Sequence, residues 1–400
     1  MYYLSKPKFI QMRQMSLKFF SVILLITGVI TLQAQQPQTI NVVTTAVPFL
    51  RISPDARAGG MGETGIATTP DAVSGFWNLA KTPFNVNKGG VGLTYTPWLK
   101  RLGLNDVYLA TLAGYYKLDD LQAISSSIRY FSLGNIQFTD NLGNDFGGFR
   151  PREFSFDMGY SRKLSDKMGL GIALRYINSN LAGNLATTST TYKAGSTVAG
   201  DLTLFYTDLD DAGEGWNFGA TITNLGGKVG YTSDAKQKDF IPANLGLGTS
   251  YTRVFDENNK ATFALDINKL LVPTPPAITG DYSTDSASQY NYRSKTVVSS
   301  WFSSFGDAPG GFKEEMKEFQ FSAGIEYWYN DQFSARAGYF YEDKTKGNRK
   351  YFTLGLGLKY NVFGLNFSYI VPSGSGINQN PLSNTLRFGL VFNFDEEPIN

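Results

Sequence analysis

Gly60-Met61-Gly62-Glu63-Thr64-Gly65 spells G-x-G-x-x-G, a spacing that cradles a dinucleotide pyrophosphate when a buried strand precedes it and a helix opens within it. Here Ser53-Pro54-Asp55-Ala56-Arg57 comes before and Ala67-Thr68-Thr69-Pro70 after, which is turn chemistry with no βαβ unit. The better reading is that small residues let an extended arm pack closely against other backbone. Asp208-Leu209-Asp210-Asp211-Ala212-Gly213 opens like a calcium loop, but Ala212 at position five and Gly219 at position twelve break the ligand set. A solvated turn fits it better. The chain has no histidine and no cysteine. The usual general base, thiolate metal sites, disulfides and an acylated lipoprotein cysteine are therefore absent, and no Ser-His or Cys-His pair can be built. No metal or cofactor is expected. Carboxylate-only chemistry stays open, yet no spacing singles out a pair, and an enzyme is disfavoured.

The remaining charged candidates sit on alternating segments. Arg129, Asp157, Arg175, Asp266, Glu326, Arg336, Lys359 and Arg387 all fall on the polar side of period-2 patterns. Phe154, Phe156, Met158 and Tyr160 alternate with Glu153, Ser155, Asp157 and Gly159, and Leu354, Leu356, Leu358 and Tyr360 with Gly355, Gly357 and Lys359. Such segments start near 89, 106, 121, 152, 167, 197, 215, 243, 260, 318, 332, 350, 363 and 384, about fourteen in all. Short connections such as Leu118-Asp119-Asp120, Ser165-Asp166 and Asn361-Val362 take turns with long ones, 134–151, 180–196, 225–242, 270–317 and 372–383. An even strand number with short and long gaps alternating is the signature of a transmembrane antiparallel β-barrel spanning 89–394. A soluble sandwich or propeller would alternate too, but would not make the gaps take turns. The charged rows then point into the lumen, where both signs favour an ion-pair network over a substrate site.

Bulk numbers agree. Of 400 residues, 18% are charged and 14% aromatic, with 42 glycines, as expected when one strand face meets lipid and aromatic belts meet headgroups. A net charge of +2 leaves no basic footprint for nucleic acid. Lys6, Lys8, Arg13 and Lys18 lead an apolar core from Phe19 to Leu32, then Leu32-Gln33-Ala34 offers a cleavage site. Residues 1–34 therefore read as a signal peptide, with Met1, Met12 or Met15 as the start. Residues 395–400 read as a charged periplasmic tail.

Between leader and barrel, residues 35–88 form an arm. Thr69 as N-cap, Pro70 at the first position, Asp71 in the first turn and Pro83 as stop predict one short helix. Its apolar face is Ala72, Val73, Phe76, Trp77 and Ala80, which must be buried against something larger. Pro54, Asp55, Arg57, Gly60 and Gly62, then Asp71, Phe76, Trp77 and Asn78, make this stretch resemble the opening of the PorV family. That family comprises outer-membrane components of the type IX secretion system and is related to FadL-type transporters of hydrophobic compounds. Leu79 stands where the family usually has proline, which would let the helix continue.

The resemblance implies a FadL-like barrel in a Gram-negative, Bacteroidota-type outer membrane, with the arm and helix as a plug in the lumen or its periplasmic mouth. It also implies protein export. Such proteins bind the C-terminal signal domain of cargo, accept it from the large translocon barrel and pass it to a sortase-like surface attachment complex. The alternative is a FadL-like conduit for hydrophobic small molecules. In the long loop 270–317, the stretch from Pro273 to Ser294 reads as mobile, followed by Trp301, Phe302, Phe305 and Phe312 and a short helical run 313–318. Exposed aromatics there must either close over the mouth or meet a partner. Leu181, Leu185 and Tyr192 in loop 180–196 are a second candidate surface.

Overall fold

A computed structural model describes residues 40–139, 142–143, 145–183, 191–233, 238–372 and 382–394. The signal peptide and the charged tail expected from sequence lie outside these residues. Fourteen antiparallel strands close into one barrel. In chain order they are β1 (Gly89–Pro97), β2 (Val107–Lys117), β3 (Gln122–Leu133), β4 (Arg152–Lys163), β5 (Met168–Asn180), β6 (Gly195–Leu209) and β7 (Gly215–Gly226). Then come β8 (Asn244–Asp256), β9 (Asn259–Leu270), β10 (Gln320–Tyr329), β11 (Phe333–Tyr341), β12 (Lys350–Tyr360), β13 (Phe363–Ile370) and β14 (Leu386–Phe394). The seam pairs β1 with β14, from Gly89 opposite Phe394 to Tyr95 opposite Phe388.

The period-2 pattern decides which way each side chain points. Along β12, Tyr351, Thr353, Gly355 and Gly357 face inward, while Phe352, Leu354, Leu356 and Leu358 stay exposed on the lipid side. Aromatics gather at both strand ends. Tyr95, Tyr108 and Tyr130 follow one another around the long-loop end, 5.4 and 6.2 Å between ring centroids. Trp216, Phe218, Tyr251, Phe363 and Phe392 do so at the other end. These are the interfacial girdles of a membrane barrel. The short-turn end, where Asn330 and Asp331 both take positive φ as a two-residue hairpin of the favoured hand requires, is periplasmic. Among the described residues no helix is long and apolar enough to span a membrane. Crossing is by strands alone.

Two small hairpins stand in outer loops, Ile136–Thr139 with Asp145–Phe149 and Val229–Gly230 with Lys238–Asp239. The alternation of sequence gaps did not foretell them. Where the sequence reads as mobile, Tyr282–Ser294 is helical, its N-terminus capped by the Asp281 carboxylate accepting from Thr284 N. The expected helical run is present as Phe312–Glu315 continued by a 3₁₀ turn Met316–Glu318.

The arm runs the length of the lumen. Asn41 hydrogen-bonds the outer loops, its backbone N–H to Thr345 O at 3.1 Å and its side chain to Pro275 O at 3.1 Å. Val47, Phe49 and Leu50 then bury against Val107, Leu109, Phe131 and Ile177 near the outer rim. Farther in, Ala56–Gly60 forms a short helix capped by Asp55, and the chain reaches β1 at the periplasmic end.

Candidate functional site

The single helix expected over 70–82 is absent. Two 3₁₀ turns, Ser74–Phe76 and Leu79–Phe84, take its place, with Pro83 inside the second rather than stopping it. Asn78 breaks the run. Its backbone is extended at φ −153°, and its side chain donates to Ile66 O at 3.0 Å and Leu204 O at 2.9 Å while accepting from Ala80 N at 3.1 Å. Leu79 therefore starts a new turn instead of prolonging a helix. Thr69 and Pro70 precede the turns without capping them. The Asp71 carboxylate accepts from Val73 N and the Ser74 hydroxyl. Val73 and Phe76 do bury as one cluster with Ala113 and the Trp77 ring.

The glycine fingerprint serves the same plug. A Cβ on Gly60 would lie 2.9 Å from Gly355 Cα, and one on Gly62 would lie 2.5 Å from Tyr339 N. Gly62 also has φ +67°, open chiefly to glycine. Backbone thus packs directly on the barrel wall, in line with the close-packing reading of the sequence. The wall answers with charge. Asp266 on β9 accepts from Gly65 N at 2.7 Å and Ile66 N at 3.0 Å. Arg57 reaches Glu326 on β10 through two bonds of 2.9 and 2.7 Å and Asp71 at 2.8 Å. Glu326 is shared with Arg336 on β11 at 2.6 Å. Burial opposes the charge on Arg57, but the Glu326 and Asp71 carboxylates outweigh it and hold its pKa above the ordinary value. Asp71 is likewise held below the carboxylate range by Arg57 and Lys81 against the cost of burial. Lys81, which donates to Gly65 O and Thr68 Oγ1 and touches no carboxylate, is pushed by burial down to about 8.

The other lumen charges read from sequence point inward as well. Arg175 joins Asp157 and Asp201, and Arg387 pairs with Glu63 of the plug at 3.3 Å. Lys359 is half-buried and lines the periplasmic mouth. Asp201, Asn224, Glu63 and Lys81 belong to the same lumen network, and sequence reasoning missed them. Asn224 marks a bulge in β7. It has positive φ, donates its backbone N–H to Asp201 and turns its amide toward Arg175. Asp210 caps an exposed hairpin turn, as read from sequence. Among the described residues no group of acidic side chains forms a metal site.

The long loop folds over the outer mouth and is fastened at its base. Lys269 lies 2.6 Å from Glu315 and 2.8 Å from Glu318, Lys346 reaches Glu314 at 2.6 Å and Glu318 at 2.9 Å, and Thr274 donates to Glu318 at 2.7 Å. Burial raises the cost of the Glu318 charge, yet Lys269, Thr274 and Lys346 hold its pKa below the ordinary carboxylate value. Above this base, Phe302, Phe305 and Phe312 remain 76%, 46% and 79% exposed. Trp301 is half-buried, so it does not share their exposure. On the other loop, Leu181 is half-buried, and Tyr192, also half-buried, bridges to Thr232. Leu185 lies outside the described residues.

No curated protein matches the sequence. The fold resembles the Pseudomonas putida toluene transporter TodX, with TM-score 0.51 and 14% identity over 86% of this chain and 100% of that one. It also resembles the Ralstonia pickettii toluene transporter TbuX, with TM-score 0.52 and 12% identity over 86% and 99%. At such identity the likeness shows a shared barrel architecture. The family model described as type IX secretion system protein PorV matches residues 33–277, more than half of the chain. With the aromatic girdles and the lipid-facing strands, this establishes an outer-membrane barrel belonging to the PorV family of the type IX secretion system.

Proposed function

We propose that this protein binds the C-terminal signal domain of secreted cargo with its outer loops and carries it from the translocon barrel to a sortase-like attachment complex on the cell surface. The observation that carries the reading is the lid. Phe302 and Phe312 are held out in solvent on a loop whose base is tied down by buried ion pairs, and the half-exposed Phe305 ring lies over Lys269 of that base. Exposed aromatics on a rigid platform are low-entropy anchors for a partner protein.

The rival reading is transport of hydrophobic small molecules, as the names of the two toluene transporters suggest for those proteins. The lumen argues against it here, because its inward rows carry serine, threonine and paired charges, and the plug is bonded to the wall throughout. A triple variant Phe302→Ser, Phe305→Ser, Phe312→Ser tests the docking reading. It should assemble as a heat-modifiable barrel yet lose co-purification of the very large translocon barrel and of secreted proteins sharing a C-terminal β domain. Unchanged recovery of both would count against the lid as the docking surface. A preparation that yields only co-purified hydrophobic compound would favour transport.

A further inference from the structure

On the lipid-facing wall, the outward rows of β10 and β11 break their run of bulky side chains. Ala323 stands between Phe321 and Ile325, and Ala335 and Ala337 precede Tyr339. Beside them, Gly324 and Gly338 lie directly opposite each other, and a Cβ on either would strike the plug backbone at Met61 and Gly62. The wall is close to bare backbone here on both faces. Outside, the gap is a groove of about 630 Å³ that runs from β7 to β12. A cross-strand aromatic pair stands at each end, Trp216 with Tyr251 at 4.9 Å between ring centroids and Tyr339 with Phe352 at 4.7 Å. Phe263, Leu265, Ile325 and Leu354 line the stretch between them.

Direction and depth follow from the register. Trp216 is the second residue of β7 after the periplasmic turn, whereas Phe352 is the third residue of β12 after the outer loop, so the groove climbs as it crosses the sheet. Five strand spacings make it about 24 Å long. With strands tilted ~35–45° it rises by about 15 Å, half of a hydrocarbon core of ~30 Å and so the depth of one leaflet. The strands beneath it are paired without a break, so it opens to lipid and not to the lumen. The Thr249 hydroxyl on its floor is spent on Asn217 O at 3.2 Å.

We propose that this groove holds one acyl chain of a periplasmic-leaflet phospholipid, its glycerol end at Trp216 and Tyr251 and its methyl end toward Tyr339. Tryptophan and tyrosine at headgroup level suit the polar end of such a chain. An apolar groove left unfilled forfeits the dispersion contacts of its lining, and a flexible chain lying lengthwise restores them. A polypeptide strand would find no backbone group to pair with, because each strand under the groove is bonded on both sides.

Phosphatidylethanolamine with brominated chains, added to the detergent-solubilised barrel, quenches a tryptophan that it touches. Trp216 is the one of five tryptophans that lines the groove, so equimolar lipid should quench up to that share of the emission and then level off. Trp216→Phe should remove this saturable part. The double variant Ala323→Phe, Ala337→Phe fills the groove from lipid-facing positions, where apolar side chains are tolerated, and should remove it while Trp216 remains. Leu174→Phe, outward on β5 and away from the groove, should keep it. Quenching that rises in proportion to lipid with no plateau would overturn the proposal, as would an equal plateau in the filled variant. So would a photo-crosslinker at Ala337 that captures a protein in the native membrane instead of phospholipid, which would make the groove an interface with another membrane protein. If the filled variant does not assemble, the plateau of the wild type against Trp216→Phe decides.

Discussion

Glu326 ties plug to wall through charge on both sides, since it accepts from Arg57 of the plug and Arg336 of the wall at once. Neutralising it leaves the buried Arg336 guanidinium without its carboxylate and Arg57 with Asp71 alone, and breaking a buried pair of this kind typically costs about 3–5 kcal/mol. Glu326→Gln should therefore loosen the plug while the girdled barrel persists, seen as new protease cleavage within 56–84 in a protein that still runs as a folded barrel. Gly62→Ala should do worse, because the added carbon meets Tyr339 backbone at 2.5 Å. Gly103→Ala, with the same left-handed backbone but open space around it, should cost only about 1–2 kcal/mol. Yields of heat-modifiable protein compare the two. Lys81 gives a pH signature. Its folded pKa is near 8 against an ordinary 10.5, so between these values the folded chain has released a proton that the unfolded chain still binds. Its contribution to stability thus rises with pH across that window. Relative to Lys81→Met, the wild-type melting temperature should gain as pH climbs from 8 to 10.5. A constant difference would mean that Lys81 stays charged throughout.

At the scale of elements, the strands were the legible part. Period-2 alternation is a local signal, and a lipid-facing residue needs no tertiary partner to be read, so each barrel strand begins within about two residues of where the sequence places it. The plug was legible in composition but not in shape. Apolar spacing at 72, 73, 76 and 77 suggests a helix, but Asn78 spends its side chain on carbonyls of Ile66 and Leu204, and no sequence window contains that choice. The lid base was hidden for a similar reason, because Lys269, Glu315, Glu318 and Lys346 meet only after the loop folds back. Lys269, a lysine on the outward row of β9 that also carries Phe263 and Leu265, was the one available hint. The Glu318 carboxyl has its pKa depressed in the folded state, so its contribution is present above the ordinary glutamate range and is lost as pH falls through the lowered value. Acid below the ordinary glutamate range should expose 282–303 to protease before the barrel opens, and Glu318→Gln should do so already at neutral pH. Equal cleavage of variant and wild type would show that another contact holds the lid.

For the molecule as a whole, the distinction between export and conduction turns on whether the plug must move. Ala56 of the plug and Gly389 of β14 lie so that a Cβ added at Gly389 would be 3.3 Å from Ala56 Cβ, near the span of about 3.8 Å that a disulfide requires. The chain has no cysteine of its own, so Ala56→Cys with Gly389→Cys gives a single defined lock. Oxidised protein should bind cargo as well as reduced protein if the outer loops do the work. Loss of binding on oxidation would put plug movement in the mechanism. The route of the arm has a consequence for biogenesis. Asn41 is fixed among the outer loops, while β1, which must zip against β14 to close the wall, begins at the opposite end. The arm and plug therefore span the lumen from the outer loops to the periplasmic end. One stretch of chain thus ties the outer loops at Asn41 to the seam strand at Gly89, so the arm's outer anchorage and the closure of the wall are covalently linked through the lumen.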